Sequence, residues 1–331
     1  MSDRTKVLSS KPQGLPESRD EASRGTKSWG TLSTEGSSPI SERLDTLSSE
    51  AVVEMLVEED RRGLDAVRHC SSAIAQASVW VAETLDGGGA VVFAGAGTSG
   101  RLGILEAAEC PPTFGTDPEQ IRAVIAGGRE ATFEAREGAE DVFEDGGEAV
   151  KDLKAGDLLI GLSASSATPF VLGALASAGG AGARTVLLTC APPGALSDVA
   201  DLVLALDTGP EILTGSTRLK AGSATKAALN AITTAAMVRL GKVYKNLMVD
   251  LRPGSDKLVD RAARIVQAAC DISRVRADEL IQAADGEVKT AIVMARCGVE
   301  TEPARERLRQ AGGHVRKALV GAVETEEGGL L

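Results

Sequence analysis

Five short apolar runs recur through the middle of the chain, at 90–94, 121–126, 157–162, 184–189 and 202–206, with helix-period stretches between most of them. Runs of this length without polar alternation suit strands buried on both faces, so the pattern predicts a parallel sheet with helices on both faces. Ahead of the first run, Leu47-Ser48-Ser49-Glu50 offers a helix cap before Val52, Val53, Met55 and Leu56, and a long amphipathic stretch spans 64–85. Behind the fifth, Thr214-Gly215-Ser216-Thr217 opens an Ala-rich helix reaching about Leu240, with its Ser-Thr start as the cap. Beyond Asp250 the rhythm shortens. Arg252-Pro253-Gly254-Ser255 reads as a linker, and short amphipathic helices run from Lys257 to about Leu319, broken at Gly286 and Gly312-Gly313. The expected fold class is α/β, a three-layer sandwich, with a small C-terminal helical bundle.

Composition divides the chain further. Residues 1–40 are rich in Ser, Gly, Pro, Lys and Glu without an apolar core segment, which predicts a disordered extension rather than a signal peptide. Residues 41–252 form the expected α/β domain with its N-terminal helices, and 253–325 the bundle. With no membrane span in the sequence, the expected location is cytoplasmic. A net charge of -11 and 2% aromatic residues argue against a nucleic-acid partner, which needs a basic face and stacking rings. The five cysteines, Cys70, Cys110, Cys190, Cys270 and Cys297, are widely spaced, lack a CxxC and have only His69 and His314 for company. Neither a metal site nor a disulfide framework is indicated.

In a parallel sheet, ligands sit beyond the carboxyl ends of the strands, so the strand-to-helix turns carry the candidate chemistry. After the first run, Gly95, Gly97 and Gly100 permit a tight turn into a helix whose start offers unpaired N–H groups. Thr98 and Ser99 add hydroxyl donors there, and Arg101 adds a fixed charge. The same turn spells G-x-G-x-x-G, but a dinucleotide site wants an acidic residue about 20 positions on. Glu130 comes later than that and stands beside Arg129, so a phosphate or carboxylate cradle is the better reading. A second turn brings Ser163, Ser165, Ser166 and Thr168 just ahead of Pro169, which suits the first turn of a helix. Either loop alone could be ordinary capping; two on one sheet edge point to an anion. Arg218 and Lys220 fall in the first turn of the Ala-rich helix, where the dipole disfavours a cation by about 0.3–1 kcal/mol. A bound anion would offset that mismatch, although two solvated cations would look the same.

Carboxylates stand near both turns. Glu109 lies near the end of the helix begun at Ser99, which Pro111-Pro112 is expected to terminate, and there it opposes the macrodipole. Glu137 and Glu140 lie beside a helix start, where acids are favourable for structural reasons alone. A carboxylate pair matters because one member can hold a proton while the other takes one.

Together, the blocks GAGTSGRLGILEAAECPPTFG, IAGG, EGAED, TGSTRLKAG and GKVYKNLMVD resemble N-acetylmuramic acid 6-phosphate etherases, enzymes of the sugar isomerase (SIS) fold, in colinear order over about 41–319. The resemblance implies a lyase without metal or other cofactor. Such an enzyme cleaves the D-lactyl ether of N-acetylmuramic acid 6-phosphate to N-acetylglucosamine 6-phosphate and D-lactate, by elimination and water addition, in cytoplasmic amino sugar catabolism and cell-wall recycling. It also implies a homodimer and a small UBA-like helical unit at the C-terminus. Glu109, in AAECPP, becomes the proton donor to departing lactate, and Glu140, in EGAED, the second active-site carboxylate. The serines and Thr168 of the second loop, with Ser99, would hold the 6-phosphate. Two other functions share this fold: a sugar-phosphate-sensing regulator resembling glucokinase regulatory proteins, and an aldose–ketose isomerase. The chain departs from the etherase pattern where Ala-Ala-Ser-Gly-Arg-Thr-Pro-Tyr becomes Ser163 to Phe170, so that Ala167 replaces an arginine and loses a charged, forked donor. It departs again at Gly254-Ser255, where the family usually has Thr-Asn.

Overall fold

The structure, a computed structural model, describes residues 32–192, 198–251 and 256–320. Most of the expected N-terminal extension, the linker at 252–255 with its Ser255 departure, and everything after 320 lie outside the described residues. A five-stranded parallel sheet runs in the order β2-β1-β3-β4-β5, with β1 at Val91–Gly95, β2 at Ile121–Ile125, β3 at Leu158–Leu162, β4 at Arg184–Thr189 and β5 at Leu202–Ala205. Strand alternation splits the core. Val91, Phe93, Ile160 and Leu188 enter one apolar cluster, while Val92, Ala94, Leu159 and Leu187 enter another on the opposite face. The first cluster is covered by α2 (Ser71–Asp86), α3 (Gly97–Phe114) and α6 (Lys220–Arg239), through Val81, Cys110 and Leu229 among others. The second is covered by α5 (Pro169–Gly180), on which α4 (Phe143–Ala149) packs at backbone contact. A Cβ on Gly146 would fall 1.9 Å from the Phe170 carbonyl oxygen, and one on Gly173 equally close to that of Phe143.

Pairing of β1 with β2 on one side and β3 on the other is the feature that positions the site. The chain leaves β1 and β3 in opposite directions along the sheet, and the crevice between those two strand ends is where such folds bind ligands.

Four local expectations need correction, the fourth being the cap of the Ala-rich helix described below. The stretch 64–85 is not one helix, because α1 (Ser49–His69) ends at Cys70 and α2 starts anew; the break lets α1 lie on α6 while α2 also reaches the sheet. Helix α3 runs through Pro111 and Pro112 to Phe114 and stops only at Gly115, whose φ is +64°. Proline costs a helix its N–H bond but supplies a helical φ, and burial of Cys110 and Phe114 outweighs that loss near the helix end. Residues 32–40, expected to be disordered, instead form short 3-10 turns with Thr34 and Ser38 buried.

Helix α1 is fastened to α6 by a buried ion pair, Lys220 Nζ to Glu59 Oε2 at 2.6 Å, with Lys220 also donating to the Pro210 carbonyl at 2.8 Å. The start of α6 is capped not by its Ser-Thr approach but by the Glu211 carboxylate, which accepts the N–H groups of Lys220 at 3.2 Å and Ala221 at 2.8 Å. Past α6, a hairpin of β6 (Val243–Tyr244) and β7 (Leu247–Met248) leads into the bundle of α7 (Asp256–Cys270), α8 (Arg274–Ala283), α9 (Val288–Cys297), α10 (Thr301–Gln310) and α11 (Val315–Val320). The bundle has its own core of Val266, Ala277, Ile292, Val293 and Ala304, and Asp250 ties it to the hairpin by accepting from both Lys242 and Lys289 at 2.9 Å. Among the described residues no helix is long and apolar enough to cross a membrane.

Removing one member of the Lys220–Glu59 pair strands the other as a buried charge. Glu59→Ala should therefore lower the unfolding free energy by about 3–5 kcal/mol in urea titration, and Glu59→Met with Lys220→Met should recover most of it. Equal stability of the single and double variants would show that the pair is not what fastens α1.

Candidate active site

The two hydroxyl-rich turns meet. They line one cavity of about 290 Å³ at the ends of β1 and β3, with Thr98 and Ser99 from the start of α3 and Ser163, Ser165 and Thr168 from the turn before α5. Glycine makes the first turn possible: Gly97 has φ +52°, and a Cβ on Gly100 would sit 2.5 Å from Ile125 Cγ1. In the second, the Ser163 and Thr168 hydroxyls lie 2.8 Å apart, and Pro169 opens α5 as its spacing predicts. Two helix starts and several hydroxyls therefore border a single space, a natural cradle for a phosphate.

Carboxylates share that space. Glu140 and Asp141 line it from a short 3-10 turn at Ala139–Asp141, entered through Gly138 at φ +77°. Glu140 is exposed overall, yet desolvation of its carboxyl raises it above the usual range, and the neighbouring Asp141 charge raises it further. Such a group is suited to take a proton from a substrate carbon.

Other candidates lie elsewhere, for reasons visible in the packing. Ten residues of helix, about 15 Å of rise, separate exposed Glu109 from Ser99, and Glu109 does not line the cavity. Arg101 donates to the carbonyls of Thr132 and Glu134, both at 3.0 Å, and so holds the loop that leads to Glu140. Lys220 is committed to Glu59, and Arg218 is exposed and outside the cavity. Ser166 is buried at φ +57°, behind the wall rather than on it. Glu137 is exposed and outside as well.

No lysine, arginine or histidine lines this cavity among the described residues, whereas Ala167 does. The missing guanidinium thus falls on the cavity wall itself. Four lining residues escaped sequence reasoning as site residues: Thr217, Thr34, Glu35 and Asp141. Thr217 had a signal, being a third hydroxyl-bearing turn before a helix; the other three had none strong enough to use. A larger groove of about 760 Å³ lies between the β6–β7 hairpin and the bundle, lined by Lys242, Asp250, Lys289 and Arg305. Its cations are paired with its acids, Arg305 with Asp285, Glu287 and Glu302, which makes it a poor anion site. Burial pushes the Cys110 thiol up to about 12 and that of Cys190 to about 11, so neither is a nucleophile at neutral pH.

The sheet order, the paired helix starts and the hydroxyl cradle define a sugar-isomerase-type domain. Residues 73–179 match the family model of the glucokinase regulatory protein N-terminal SIS domain. A phosphoheptose isomerase structure from Neisseria gonorrhoeae aligns with a TM-score of 0.43 at 21% identity, covering 56% of this chain and 97% of that one. Far more of the chain matches the N-acetylmuramic acid 6-phosphate etherase of Gloeobacter violaceus, at 48% identity over 263 residues, covering 79% of this chain and 86% of the relative. The etherase of Salinibacter ruber is 47% identical over 264 residues, with 79% and 85% covered. The chain belongs to the N-acetylmuramic acid 6-phosphate etherase family.

Ser166 occupies a left-handed conformation that costs a non-glycine residue about 1 kcal/mol. Ser166→Gly removes that strain together with the buried serine's own contacts, so its thermal midpoint in calorimetry should stay within a few degrees of the wild type. A midpoint lowered by more than that would mean that the serine's contacts outweigh the strain.

Proposed function

We propose that this enzyme cleaves the D-lactyl ether of N-acetylmuramic acid 6-phosphate to N-acetylglucosamine 6-phosphate and D-lactate. The carrying observation is the cavity itself: two helix starts and their hydroxyls for the phosphate, beside a carboxylate with a raised pKa, in a chain 48% identical to a named etherase. In the proposed reaction Glu140 removes the C2 proton of the open-chain aldehyde, and the electron pair forms the C2–C3 double bond as the C3–oxygen bond to lactate breaks. The departing lactate oxygen takes a proton from Glu109. Water then adds, its hydroxide to C3 and its proton to C2, which restores the sugar.

Glu109 enters that scheme from a second copy of the chain. Within one chain it lies outside the cavity, about 15 Å of helix rise from Ser99, and it is exposed on α3 where a second chain can cover it. A homodimer that brings the end of α3 to the neighbouring cavity supplies the acid. A second reading, a sugar-phosphate-binding regulator without turnover, draws on the match of residues 73–179 and on the lack of a cation at the cavity among the described residues.

Lactate release decides between them. The purified protein should form D-lactate from N-acetylmuramic acid 6-phosphate, and Glu140→Gln or Glu109→Gln should each reduce kcat at least 10²-fold. Binding without lactate would support the regulator. Mixed Glu109→Gln and Glu140→Gln proteins, unfolded and refolded together, should regain about a quarter of wild-type activity, because half of the dimers carry one intact site. No recovery would place both glutamates in the same chain.

Glu140 must be ionised to act as a base, so its raised pKa moves the acid limb of kcat/KM above the range of an ordinary glutamate. Activity rises with pH through that limb. Asp141→Asn removes a like charge and should shift the limb to lower pH; an unmoved limb would show that another group titrates. Restoring the cation by Ala167→Arg should lower KM by about tenfold or more with kcat little changed, the signature of uniform binding.

A further inference from the structure

The cavity has a wall that none of the motifs contains. Leu32, Thr34 and Glu35 line it together with Ser99, Glu140 and Thr168, although they come from the segment ahead of α1. Thr34 is 1% exposed, and its Oγ1 is buried with no hydrogen-bond partner among the described residues. A buried hydroxyl without a protein partner carries a desolvation cost. On a cavity wall, a ligand group can offset that cost.

The segment is held in place rather than merely resting there. Its 3-10 turn is closed by the Glu35 N–H donating to the Leu32 carbonyl at 3.0 Å. Gly215, at φ +75°, leaves room for the Glu35 carboxylate, which a Cβ there would meet at 2.9 Å. Thr34 and Glu35 are thereby braced against the loop that carries Thr217 into the same cavity.

Charge decides which end of a phosphosugar this wall meets. The Glu35 carboxylate beside Thr34 repels a phosphate, while it accepts hydrogen bonds from neutral hydroxyls and amides. The phosphate belongs instead to the helix starts and hydroxyls at Thr98, Ser99 and Ser163 to Thr168. We infer that Thr34 and Glu35 form the subsite for the uncharged sugar face, its ring hydroxyls and N-acetyl group, with Thr34 Oγ1 bonded directly to the ligand. The inference rests on the reading of this cavity as a phosphosugar site, but it does not depend on turnover.

Titration calorimetry with N-acetylglucosamine 6-phosphate, and separately with inorganic phosphate, tests it on the wild type, Thr34→Val and Thr34→Ser. Valine keeps the shape of threonine and removes the hydroxyl. The sugar phosphate should bind Thr34→Val about tenfold more weakly, as for one lost hydrogen bond, while inorganic phosphate binds as before. The melting temperature of Thr34→Val should be unchanged or higher, and Thr34→Ser should bind within about twofold of the wild type. Unchanged sugar-phosphate affinity in Thr34→Val overturns the inference. So does an equal loss for inorganic phosphate, or an equal loss in Thr34→Ser. A wild type that binds the sugar phosphate without releasing lactate sinks the etherase reading alone, and the Thr34→Val loss would still support this one.

Discussion

The approach of α3 to the end of β1 is the constraint on which the site depends. A Cβ on Gly95 would lie 2.8 Å from the Gly100 nitrogen, and one on Gly103 would lie 2.9 Å from Phe93 Cβ. Glycines at these positions let the helix settle onto the strand at a spacing that a side chain would prevent. The start of α3 therefore falls at the strand end, and because β1 stands between β2 and β3, it falls beside the turn that leads to α5. A hydroxyl-lined cavity follows from that placement, with Thr98 and Ser99 on one turn and Ser163, Ser165 and Thr168 on the other.

Charge at the cavity is unusual for a candidate phosphate site. Acids line it at Glu35, Glu140 and Asp141, whereas Arg101 and Lys220 are bonded elsewhere and Arg218 lies outside it. Arg101 holds carbonyls of the loop before Glu140, and Lys220 neutralises Glu59 beneath α1. Both cations shape the site from behind: the first steadies the approach to Glu140, and the second fixes the start of α6 next to Thr217. Desolvation and, after it, the Asp141 charge raise the Glu140 carboxyl.

Much of the fold was legible because its signals are local. The five apolar runs matched the five strands to within a residue at either end, and Ser48 does cap α1, accepting from the Ala51 N–H at 3.3 Å. The two hydroxyl turns were also legible, since glycine, serine and threonine at strand ends carry their own geometric reason. Errors arose where a long-range contact overrode a local rule. Pro111-Pro112 looked like a stop, but buried neighbours carried the helix past them. Ser216 and Thr217 looked like a cap, but Glu211 took that role, and no spacing rule connects a glutamate to a helix that begins nine residues later.

The chain's own order of residues thus determined the parallel sheet, the two hydroxyl turns and the presence of Glu109 and Glu140, all of which follow from periodicity or from contiguous motifs. Tertiary structure alone decided which of them meet. It joined Glu140 to the two turns, set Glu109 about three turns of helix away from Ser99, took Arg101 and Lys220 for internal contacts and brought Thr34 to the cavity wall. The reason is that contact between distant segments depends on how helices pack across the sheet, and a linear pattern carries the faces of those helices but not the distances between them.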